Sequence, residues 1–409
     1  MKQNTTYKQT ELGLIPEDWE VKKFNKFSKF YSGGTPLTSK SEYYGGEIPF
    51  IKSGEIYYDR TEQFLTQEGL NNSSAKLVYR GDLLYALYGA NSGEVAISQL
   101  EGAINQAILC IQQNKDEAET IYLYNYLKLE KSNIINKFLQ GGQGNLSADI
   151  IKNLQIPLPP LPEQKKIADC LSTWDVAIEK QSALINALTD RKKALMQQLL
   201  TGKKRLPGFS GEWKEVKMGD LFEKINRKNE EGNTNVVTIS AQRGFVKQTD
   251  FFNKSVASET LDNYSLIYHG EFCYNKSYSN GYPLGATKRL IAFEKAVVTT
   301  LYICFKIKDQ KKSNGSFFEQ FFEANSLDRS LIKIAQEGGR AHGLLNVSLS
   351  DFFNIKIKLP PIEEQTAIAE ILAAADRELQ LQKEKLAQLQ AQKKGLMQVL
   401  LTGKKRLMN

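Results

Sequence analysis

The chain contains a long internal repeat, which restricts its fold more than any other sequence feature. Residues 145–206 return at residues 346–407 with a constant offset of 201 and no gap. LPPLPEQ (Leu158–Gln164) returns as LPPIEEQ (Leu359–Gln365), and LLTGKKRL closes both copies unchanged. A repeat of this length predicts two similar halves, each of which ends in the same structural element. The function of the chain must therefore use two copies of that element.

The repeated element has the signature of a long helix. Prolines precede both copies, and both close at Thr-Gly, where Gly202 and Gly403 suit the left-handed residue just past a helix end. Apolar residues recur between these limits at alternating spacings of three and four, which is typical of a coiled-coil seam. The predicted seam comprises Ile167, Leu171, Trp174, Ile178, Gln181, Ile185, Leu188, Lys192, Leu195 and Leu199 in the first copy, and Ile368, Leu372, Ala375, Leu379, Gln382, Leu386, Leu389, Lys393, Leu396 and Leu400 in the second.

Polar residues interrupt the two seams at matching places. Gln181 corresponds to Gln382, and Lys192 corresponds to Lys393. Polar seam residues weaken a coiled coil but specify its register and its partner, so we assign these four residues to register. The match predicts that the two helices, each about 38 residues or about 57 Å long, pair with each other. Antiparallel pairing places the two globular segments at opposite ends and gives the chain an approximate two-fold repeat.

The segments outside the helices share a weaker repeat. Tyr79-Arg80-Gly81-Asp82 resembles Tyr268-His269-Gly270-Glu271, and each segment ends in a glycine-rich loop. Strand-like and helix-like runs mix in both segments, so each is predicted to be an α+β domain. Between these landmarks the sequences of the two segments diverge. This favours two modules that share one scaffold but recognise different ligands through their loops. The predicted domains are a first module at 1–157, a first spacer helix at 158–206, a second module at 207–358 and a second spacer helix at 359–409.

Composition excludes several functional classes. The net charge of +8 and the pI near 9.0 permit a nucleic-acid partner without demanding one. No apolar run is long enough to span a membrane, and the cysteines show no CxxC spacing, as expected of reduced thiols in a cytoplasmic protein. The two histidines, His269 and His342, argue against zinc chemistry and histidine-based catalysis.

Catalytic motifs are also missing from the sequence. It contains no GxxxxGK[ST] for ATP and no NPPY or DPPY of an adenine methyltransferase. Glu163-Gln164-Lys165 superficially supplies the ExK of a nuclease, but the second copy has Thr366 in place of the lysine. Acidic residues at a helix start explain the motif better. We therefore expect a chain without catalytic residues, metal or cofactor of its own.

Taken together, these features resemble the DNA-specificity subunit of type I restriction–modification systems. The resemblance rests on LPPLPEQ and LPPIEEQ before a long helix, LLTGKKRL at its end, SGGTP with EIPFI in the first segment, and the order variable–helix–variable–helix. It implies a non-catalytic subunit with two target recognition domains, each reading half of a split sequence in double-stranded DNA. It further implies two modification subunits and two restriction subunits as partners. S-adenosylmethionine, ATP and Mg²⁺ are expected in those partners.

The candidate DNA contacts are polar side chains in glycine-rich or divergent loops. Such side chains read base edges or bind phosphates, and glycines allow close approach to a duplex. We predict contacts from Ser32, Thr35, Tyr88, Asn91, Gln143 and Asn145 in the first module, and from Arg243, Lys276, Tyr278, Asn280, Lys288, Arg340 and His342 in the second. For each residue, a solvated surface position or an ordinary turn is the competing interpretation.

Three questions stay open at the level of sequence. The Lys-Lys-Arg clusters at 203–205 and 404–406 suit either phosphate contacts or the negative end of the helix dipole. The partner enzyme is either a standard type I assembly or another architecture, such as a fused methylase–nuclease. A coiled-coil scaffold that binds proteins alone, without DNA, is the alternative of a different class.

Overall fold

A computed structural model describes residues 6–138, 145–251, 261–337 and 345–407 of the chain. The chain divides into two compact units, one formed by Met1–Ser182 with Glu384–Asn409 and the other by Ala183–Lys383. Both divisions fall inside the long helices. Each unit therefore contains one globular module together with part of each helix, because those helical segments pack on the module.

The first unit begins with a hairpin and continues as a mixed α+β module. Its strands are β1 (Tyr7–Thr10), β2 (Gly13–Pro16), β3 (Glu20–Lys23), β4 (Ser28–Ser32), β5 (Tyr44–Ile51), β6 (Phe64–Leu65), β7 (Lys76–Val78), β8 (Leu83–Ala86), β9 (Val95–Ile97), β10 (Gly102–Ile104), β11 (Ile108–Gln113) and β12 (Gln155–Leu158). Its helices are α1 (Gln67–Asn71), α2 (Thr120–Phe138), α3 (Ala148–Lys152) and the start of α4 (Leu161–Leu199).

The second unit contains the matching module. Its strands are β13 (Lys214–Lys217), β14 (Phe222–Lys224), β15 (Val237–Ser240), β16 (Gly244–Lys247), β17 (Ser265–Tyr268), β18 (Phe272–Asn275), β19 (Ala286–Arg289), β20 (Lys295–Val298), β21 (Ile303–Ile307), β22 (Gln336–Glu337), β23 (Leu345–Asn346) and β24 (Lys356–Leu359). Its helices are α5 (Met218–Leu221), α6 (Gln248–Phe251), α7 (Gly315–Glu323), α8 (Asp328–Ile334), α9 (Leu349–Asn354) and the start of α10 (Ile362–Leu400).

The two modules share one strand order. The main sheet runs β4-β11-β8-β9 in the first module and β14-β21-β18-β19 in the second. A pair of end strands, β3-β12 and β13-β24, closes each module next to its long helix. In the first module β10 pairs parallel with β5 and antiparallel with β7. In the second module β20 likewise pairs antiparallel with β17, and its Val297 forms a parallel bridge with Val236, the residue before β15. The α+β prediction and the shared scaffold are therefore confirmed.

The cores join each module to helical residues of the same unit. In the first unit Ile167 and Leu171 of α4 pack with Leu400 and Leu401 in a cluster that includes Trp19. The second unit packs Ile368 and Leu372 of α10 with Leu199 and Leu200 against a phenylalanine cluster. That cluster comprises Phe222, Phe272, Phe305, Phe317, Phe318, Phe322 and Phe352, with edge-on and stacked ring pairs.

The long helices lie within the predicted spacer segments 158–206 and 359–409, beginning after Pro160 and Pro361 and ending three residues before Gly202 and Gly403. Both α4 and α10 contain 39 residues. Gly202 and Gly403 lie just past their ends with φ of +70° and +73°, the left-handed conformation that glycine adopts without strain. Every predicted seam residue is buried or partly buried. Among the described residues, no helix is both long enough and apolar enough to cross a membrane.

The helices pair in antiparallel fashion within each unit. In the first unit Asp175 of α4 forms an ion pair with Lys393 of α10. The second unit pairs Arg191 with Glu378 and Lys192 with Asp376. Rising numbers on one helix therefore meet falling numbers on the other, which confirms the antiparallel prediction. Gln181 is buried and Gln382 is partly buried, so all four polar seam residues lie within or beside the paired seam, and their role in register stays a prediction.

Lys393 provides a test of what a charged seam residue contributes. Its side chain is 7% exposed. Burial lowers its pKa from the usual 10.5, an effect that the charge of Lys128 reinforces and that Asp175 partly offsets. Because the unfolded chain holds this proton more tightly, stability should rise with pH from the folded pKa up to 10.5. Burial of a charge is costly, and the loss of one ion-pair partner is destabilising mainly when the other partner stays buried. Asp175 is 45% exposed, so water can solvate its carboxylate if an apolar side chain replaces Lys393.

We expect Lys393→Met to leave the free energy of unfolding at pH 7 unchanged or about 1 kcal/mol higher. The variant should also lack the alkaline rise in stability. Urea unfolding at pH 7 and at several pH values approaching 10.5 measures both effects. Lys394→Met, which removes an exposed neighbouring charge, is the matched control. A clear loss of stability in Lys393→Met alone would mean that the ion pair with Asp175 stabilises the fold.

The repeat also contains one difference with a predictable effect. Gly395 of α10 stands where the first copy has Ala194. A Cβ added at Gly395 would meet nothing within 4 Å. We expect Gly395→Ala to raise the free energy of unfolding by about 0.5–1 kcal/mol, because glycine loses more backbone entropy in a helix interior. Chemical denaturation measures this change in the free energy of unfolding. If helix propensity is the cause, Ala194→Gly should lower stability by a similar amount.

Each helix end is fastened to the start of the other helix by a buried arginine–glutamate pair. In the first unit Arg406 makes two hydrogen bonds of 2.7 Å to Glu163, which is 5% exposed, and Trp19 donates to the same carboxylate at 3.2 Å. Arg406 also makes paired bonds of 2.8 and 2.7 Å to Asp18. The hydrogen bond from Arg406 lowers the pKa of Asp18, whereas its bonds to Glu163 and Asp18 raise the pKa of the guanidinium.

The second unit repeats this arrangement. Arg205 binds the fully buried Glu364 at 2.6 and 2.7 Å, and Trp213 donates to that carboxylate at 3.1 Å. We call each set of arginine, glutamate and tryptophan a closing cluster. The arginines of the Lys-Lys-Arg sequences thus bind carboxylates, rather than capping their own helices or presenting free charge. Glu163 serves as a partner of Arg406, which supports the structural interpretation of the ExK-like motif.

The glutamine after each glutamate fixes the helix start to its module. Gln164 is fully buried, donates to the carbonyl oxygens of Pro159 and Glu117 at 2.9 Å, and accepts from the amide of Glu119 at 2.9 Å. Gln365 does the same with Pro360, Lys312 and Asn314 at 2.9–3.0 Å. The similarity of LPPLPEQ and LPPIEEQ in the two copies of the repeat is therefore explained by packing.

Candidate nucleic-acid interface

In the first module, several predicted contact residues lie at one edge of the main sheet. Ser32 is the last residue of β4 and pairs with Leu109 near the start of β11. Strand β8 ends at Ala86 at the same edge, because Ala86 pairs with Ile108. The loops that leave β4 and β8 and the turn that enters β11 therefore meet there. We call these loops, together with Asn145, the first reading edge.

The SGGTP loop is held against the turn before β11. The amide of Gly34 donates to the carbonyl oxygen of Ile104 at 3.2 Å. A Cβ at Gly33 would lie 1.7 Å from that same oxygen, and one at Gly34 would lie 2.0 Å from Ser74 Oγ. A side chain at either position would clash with these atoms, so the loop requires glycine at both positions. The result is that Thr35 Oγ1 donates to Gln106 Oε1 at 2.7 Å on the exposed surface.

Tyr88, Asn91 and Asn145 also lie at the first reading edge. Tyr88 and Asn145 form an isolated antiparallel bridge, and the amide of Leu146 donates to the carbonyl oxygen of Leu87 at 2.9 Å. Asn91 lies beside Gly54 of the neighbouring loop, since a Cβ there would be 3.5 Å from Asn91 Nδ2. The structure thus gathers the described candidates of this module at one edge. Gln143 lies outside the described residues.

An acidic residue, Glu94, lies at the end of the loop that leaves β8 and is hydrogen-bonded to two neighbouring side chains. Glu94 accepts hydrogen bonds from Tyr57 and Lys131. Burial works to raise the pKa of Glu94, but the bonds from Lys131 and Tyr57 outweigh it and lower that pKa. Its negative charge is thus compensated by Lys131. Such compensation reduces the repulsion that a phosphate approaching this edge would meet.

The second module places its candidates in the corresponding loops. Lys276, Tyr278 and Asn280 lie in the loop that leaves β18, and Tyr278 is 66% exposed. Gln242 Nε2 donates to the carbonyl oxygen of Asn280 at 2.9 Å, which brings the β15–β16 turn and Arg243 to this loop. We call these two loops, together with β23, the second reading edge.

The two reading edges occupy equivalent positions of the scaffold. The offset of 189 that relates Tyr79 to Tyr268 also carries β8 onto β18 and Asn91 onto Asn280. The returning chain pairs with the equivalent loop in both modules, since the amide of Leu345 donates to the carbonyl oxygen of Lys276 at 3.1 Å. The loops themselves differ in length and sequence. Arg340 and His342 lie outside the described residues.

Lys288 differs from the other candidates because it lies inside the second module. It is 9% exposed, donates to Tyr282 Oη at 3.0 Å, and forms an ion pair with Glu323. Its ammonium group is therefore engaged within the module, and a structural role accounts for its position. Burial raises the pKa of the nearby Glu319 against the opposing influence of Arg289. The local sequence around Lys288, TKRL, gave no indication that this lysine is buried.

Sequence reasoning missed two exposed glutamines, one at each reading edge. Gln106 follows Asn105 between the apolar strands β10 and β11, and Gln242 precedes Arg243 in the β15–β16 turn. Two polar residues in the otherwise apolar run GAINQAILCI were the available signal for Gln106. The pairing of Gln106 with Thr35 required the tertiary structure, because the two residues lie 71 positions apart in the sequence.

Comparison with known proteins agrees with this architecture. A family model described as the type I restriction modification DNA specificity domain matches residues 16–190 and again residues 210–391. The MjaVIII specificity subunit of a type I restriction enzyme from Methanocaldococcus jannaschii is 26% identical over 97% of this chain and 95% of its own length. A putative MjaX specificity subunit from the same organism is 29% identical over 98% of this chain and 97% of its own.

Solved structures share the fold. The S subunit of a type I restriction–modification system from M. genitalium superposes with a TM-score of 0.55 at 15% identity, covering 98% of this chain and 97% of that one. A chain from a study of complex assembly and conformational transition of the type I system gives a TM-score of 0.58 at 16% identity, covering 96% and 99%. With the family model matched twice, once in each half, the chain belongs to the family of type I restriction–modification DNA specificity proteins.

Proposed function

We propose that this chain is the DNA-specificity subunit of a type I restriction–modification enzyme and that it reads a split, asymmetric target. The observation that carries the proposal is the pair of reading edges. Both edges lie at the same place of one scaffold, yet their loops differ almost completely. Equal scaffolds with unequal loops suit the recognition of two different short sequences.

The chemistry of the reading edges supports DNA as the ligand. Exposed amides, hydroxyls and basic groups at the edges are the side chains that contact base edges and phosphates in duplex DNA. Thr35 and Gln106 in the first module and Gln242 in the second supply exposed groups of this kind, and Asn91 and Lys276 supply partly exposed ones. The net charge of +8 favours a polyanionic partner, although six of these charges lie in the spacer regions 163–206 and 359–409.

Catalysis is assigned to partner subunits. The sequence contains neither an ATP-binding P-loop nor the NPPY-type motif of an adenine methyltransferase. Two modification subunits that bind S-adenosylmethionine would methylate the target, and two restriction subunits would supply ATP- and Mg²⁺-dependent cleavage. Because each unit repeats the same helix pairing and closing cluster, a partner that recognises these shared features would find two sites on one chain.

The test is a genome-wide map of N6-methyladenine in cells that carry this chain with its partner methylase, beside cells that lack only this chain. We expect a two-part, asymmetric methylated motif that disappears with the chain. A motif that persists without the chain would contradict the proposal and would favour a protein-binding scaffold. A palindromic motif would contradict the assignment of different half-sites to the two modules.

A further inference from the structure

The first reading edge presents one side-chain amide in a fixed orientation. Gln106 and Thr35 are both exposed, and Thr35 Oγ1 donates to Gln106 Oε1 at 2.7 Å. A hydrogen bond between two exposed side chains contributes little to folding, because both groups find water in the unfolded chain. Its main effect is to restrict the rotamers of Gln106 at a surface that faces solvent.

The backbone on both sides of this pair is anchored. Asn105 donates its amide to the carbonyl oxygen of Ile51 at 3.4 Å, and its side-chain oxygen accepts from the amide of Ala107 at 3.1 Å. On the other side, the absence of side chains at Gly33 and Gly34 allows the SGGTP loop to contact residues 104–106. The backbone contacts on both sides therefore hold the Thr35–Gln106 pair in position, so the pair is not a chance contact of two surface side chains.

An amide held in this way offers a donor and an acceptor side by side. Thr35 occupies one lone pair of Gln106 Oε1, which leaves the second lone pair and the Nε2 hydrogens for an external group. In the major groove, adenine presents the N7 acceptor beside the N6 donor, which matches an amide. Guanine presents two acceptors, cytosine presents a donor, and thymine presents an acceptor with a methyl group, so none of them matches both ends.

We propose that Gln106, oriented by Thr35, reads an adenine of the first half-site from the major groove. This inference rests on the proposed function. It assigns Gln106 as a specificity-determining residue, Thr35 as a positioning residue and adenine as the base that is recognised. Thr35 acts through Gln106 by reducing the rotamer freedom that would otherwise be lost on binding. The inference concerns one position of one half-site, so it predicts no change at the second half-site.

The experiment uses the full chain assembled with its partner methylase. We expect Gln106→Ala to relax the methylated motif at one adenine position of one half-site, while the other half-site stays unchanged. Affinity for the target duplex should fall about 10- to 100-fold, as expected for the loss of a bidentate base contact. Thr35→Val should lower affinity less and relax the same position. Gln106→Glu should shift the preference there towards cytosine, whose amino group donates to a carboxylate.

A modified duplex separates base reading from general damage. Replacing the adenine with 7-deazaadenine removes the N7 acceptor, so it should weaken binding of the unaltered complex and leave binding by Gln106→Ala unaffected. Gln9→Ala, which removes an exposed amide from β1 of the same unit, is the control and should behave as the unaltered chain. Thermal unfolding should be alike for all variants.

Two results would overturn the inference. One is an unchanged motif and affinity in Gln106→Ala, and the other is relaxation at a position that is not adenine. Both leave the proposed function standing, because the unaltered complex would still methylate a chain-dependent motif. If the unaltered complex itself showed no such motif, the proposed function would fail, and this inference would fail with it.

Discussion

Replacing Arg406 with alanine is expected to lower the free energy of unfolding by about 3 kcal/mol. The substitution would leave Glu163, which is 5% exposed, with the indole of Trp19 as a remaining hydrogen-bond donor. An unpaired buried carboxylate is costly, and the loss of one partner of a buried pair has a larger effect than the loss of a surface ion pair. Asp18 would lose its charged partner as well.

Urea unfolding of the unaltered chain and the Arg406→Ala variant measures this effect. Lys405→Ala removes the neighbouring positive charge, which is exposed, and should change stability by less than about 0.5 kcal/mol. A double-mutant cycle with Glu163→Gln isolates the coupling between the two residues, since the neutral amide no longer requires the guanidinium. Equal effects of Arg406→Ala and Lys405→Ala would show that the closing cluster contributes nothing beyond general charge.

Substitution of Gly33 by alanine is expected to disrupt the first reading edge. The new Cβ would lie 1.7 Å from the carbonyl oxygen of Ile104 and 2.4 Å from its carbon. Because both neighbours are backbone atoms, the SGGTP loop must move away from residues 104–106. We expect a loss of about 3 kcal/mol in stability, at the upper end of overpacking effects, and separation of Thr35 from Gln106.

The consequence for function should be confined to one half-site. Methylation mapping of the Gly33→Ala complex is expected to show relaxed or lost recognition of the first half-site, with chain folding checked by thermal unfolding. Gly54→Ala is the matched control for stability, because its Cβ would make ordinary contact with Asn91 Nδ2 at 3.5 Å. Retention of both half-sites by Gly33→Ala would argue against a reading role for the SGGTP loop.

The sequence predicted the parts of the fold that depend on local patterns. The seam spacing, the prolines and the glycines at 202 and 403 gave both helices to within a few residues, because helix periodicity and termination are encoded by near neighbours. The matched polar seam residues predicted that the two helices pair, and the globular segment between the helices favoured the antiparallel orientation. The sequence also showed the landmark shared by Tyr79 and Tyr268, but the equivalence of the loops that contain Asn91 and Asn280 became evident from strands β8 and β18.

Tertiary structure decided which polar groups meet. From the sequence, the Lys-Lys-Arg clusters suited either phosphate contacts or the helix dipole, whereas in the structure Arg406 binds Glu163, which lies 243 positions earlier in the chain. Lys288 proved to be engaged inside its module, and the exposed Gln106 was missed. Such contacts depend on chain segments that are far apart in sequence, and a polar residue type alone does not state its partner. The sequence by itself therefore determined the repeated helices and the two-module plan, whereas the fold, by bringing distant segments together, determined which charges are buried in pairs and which amides face solvent.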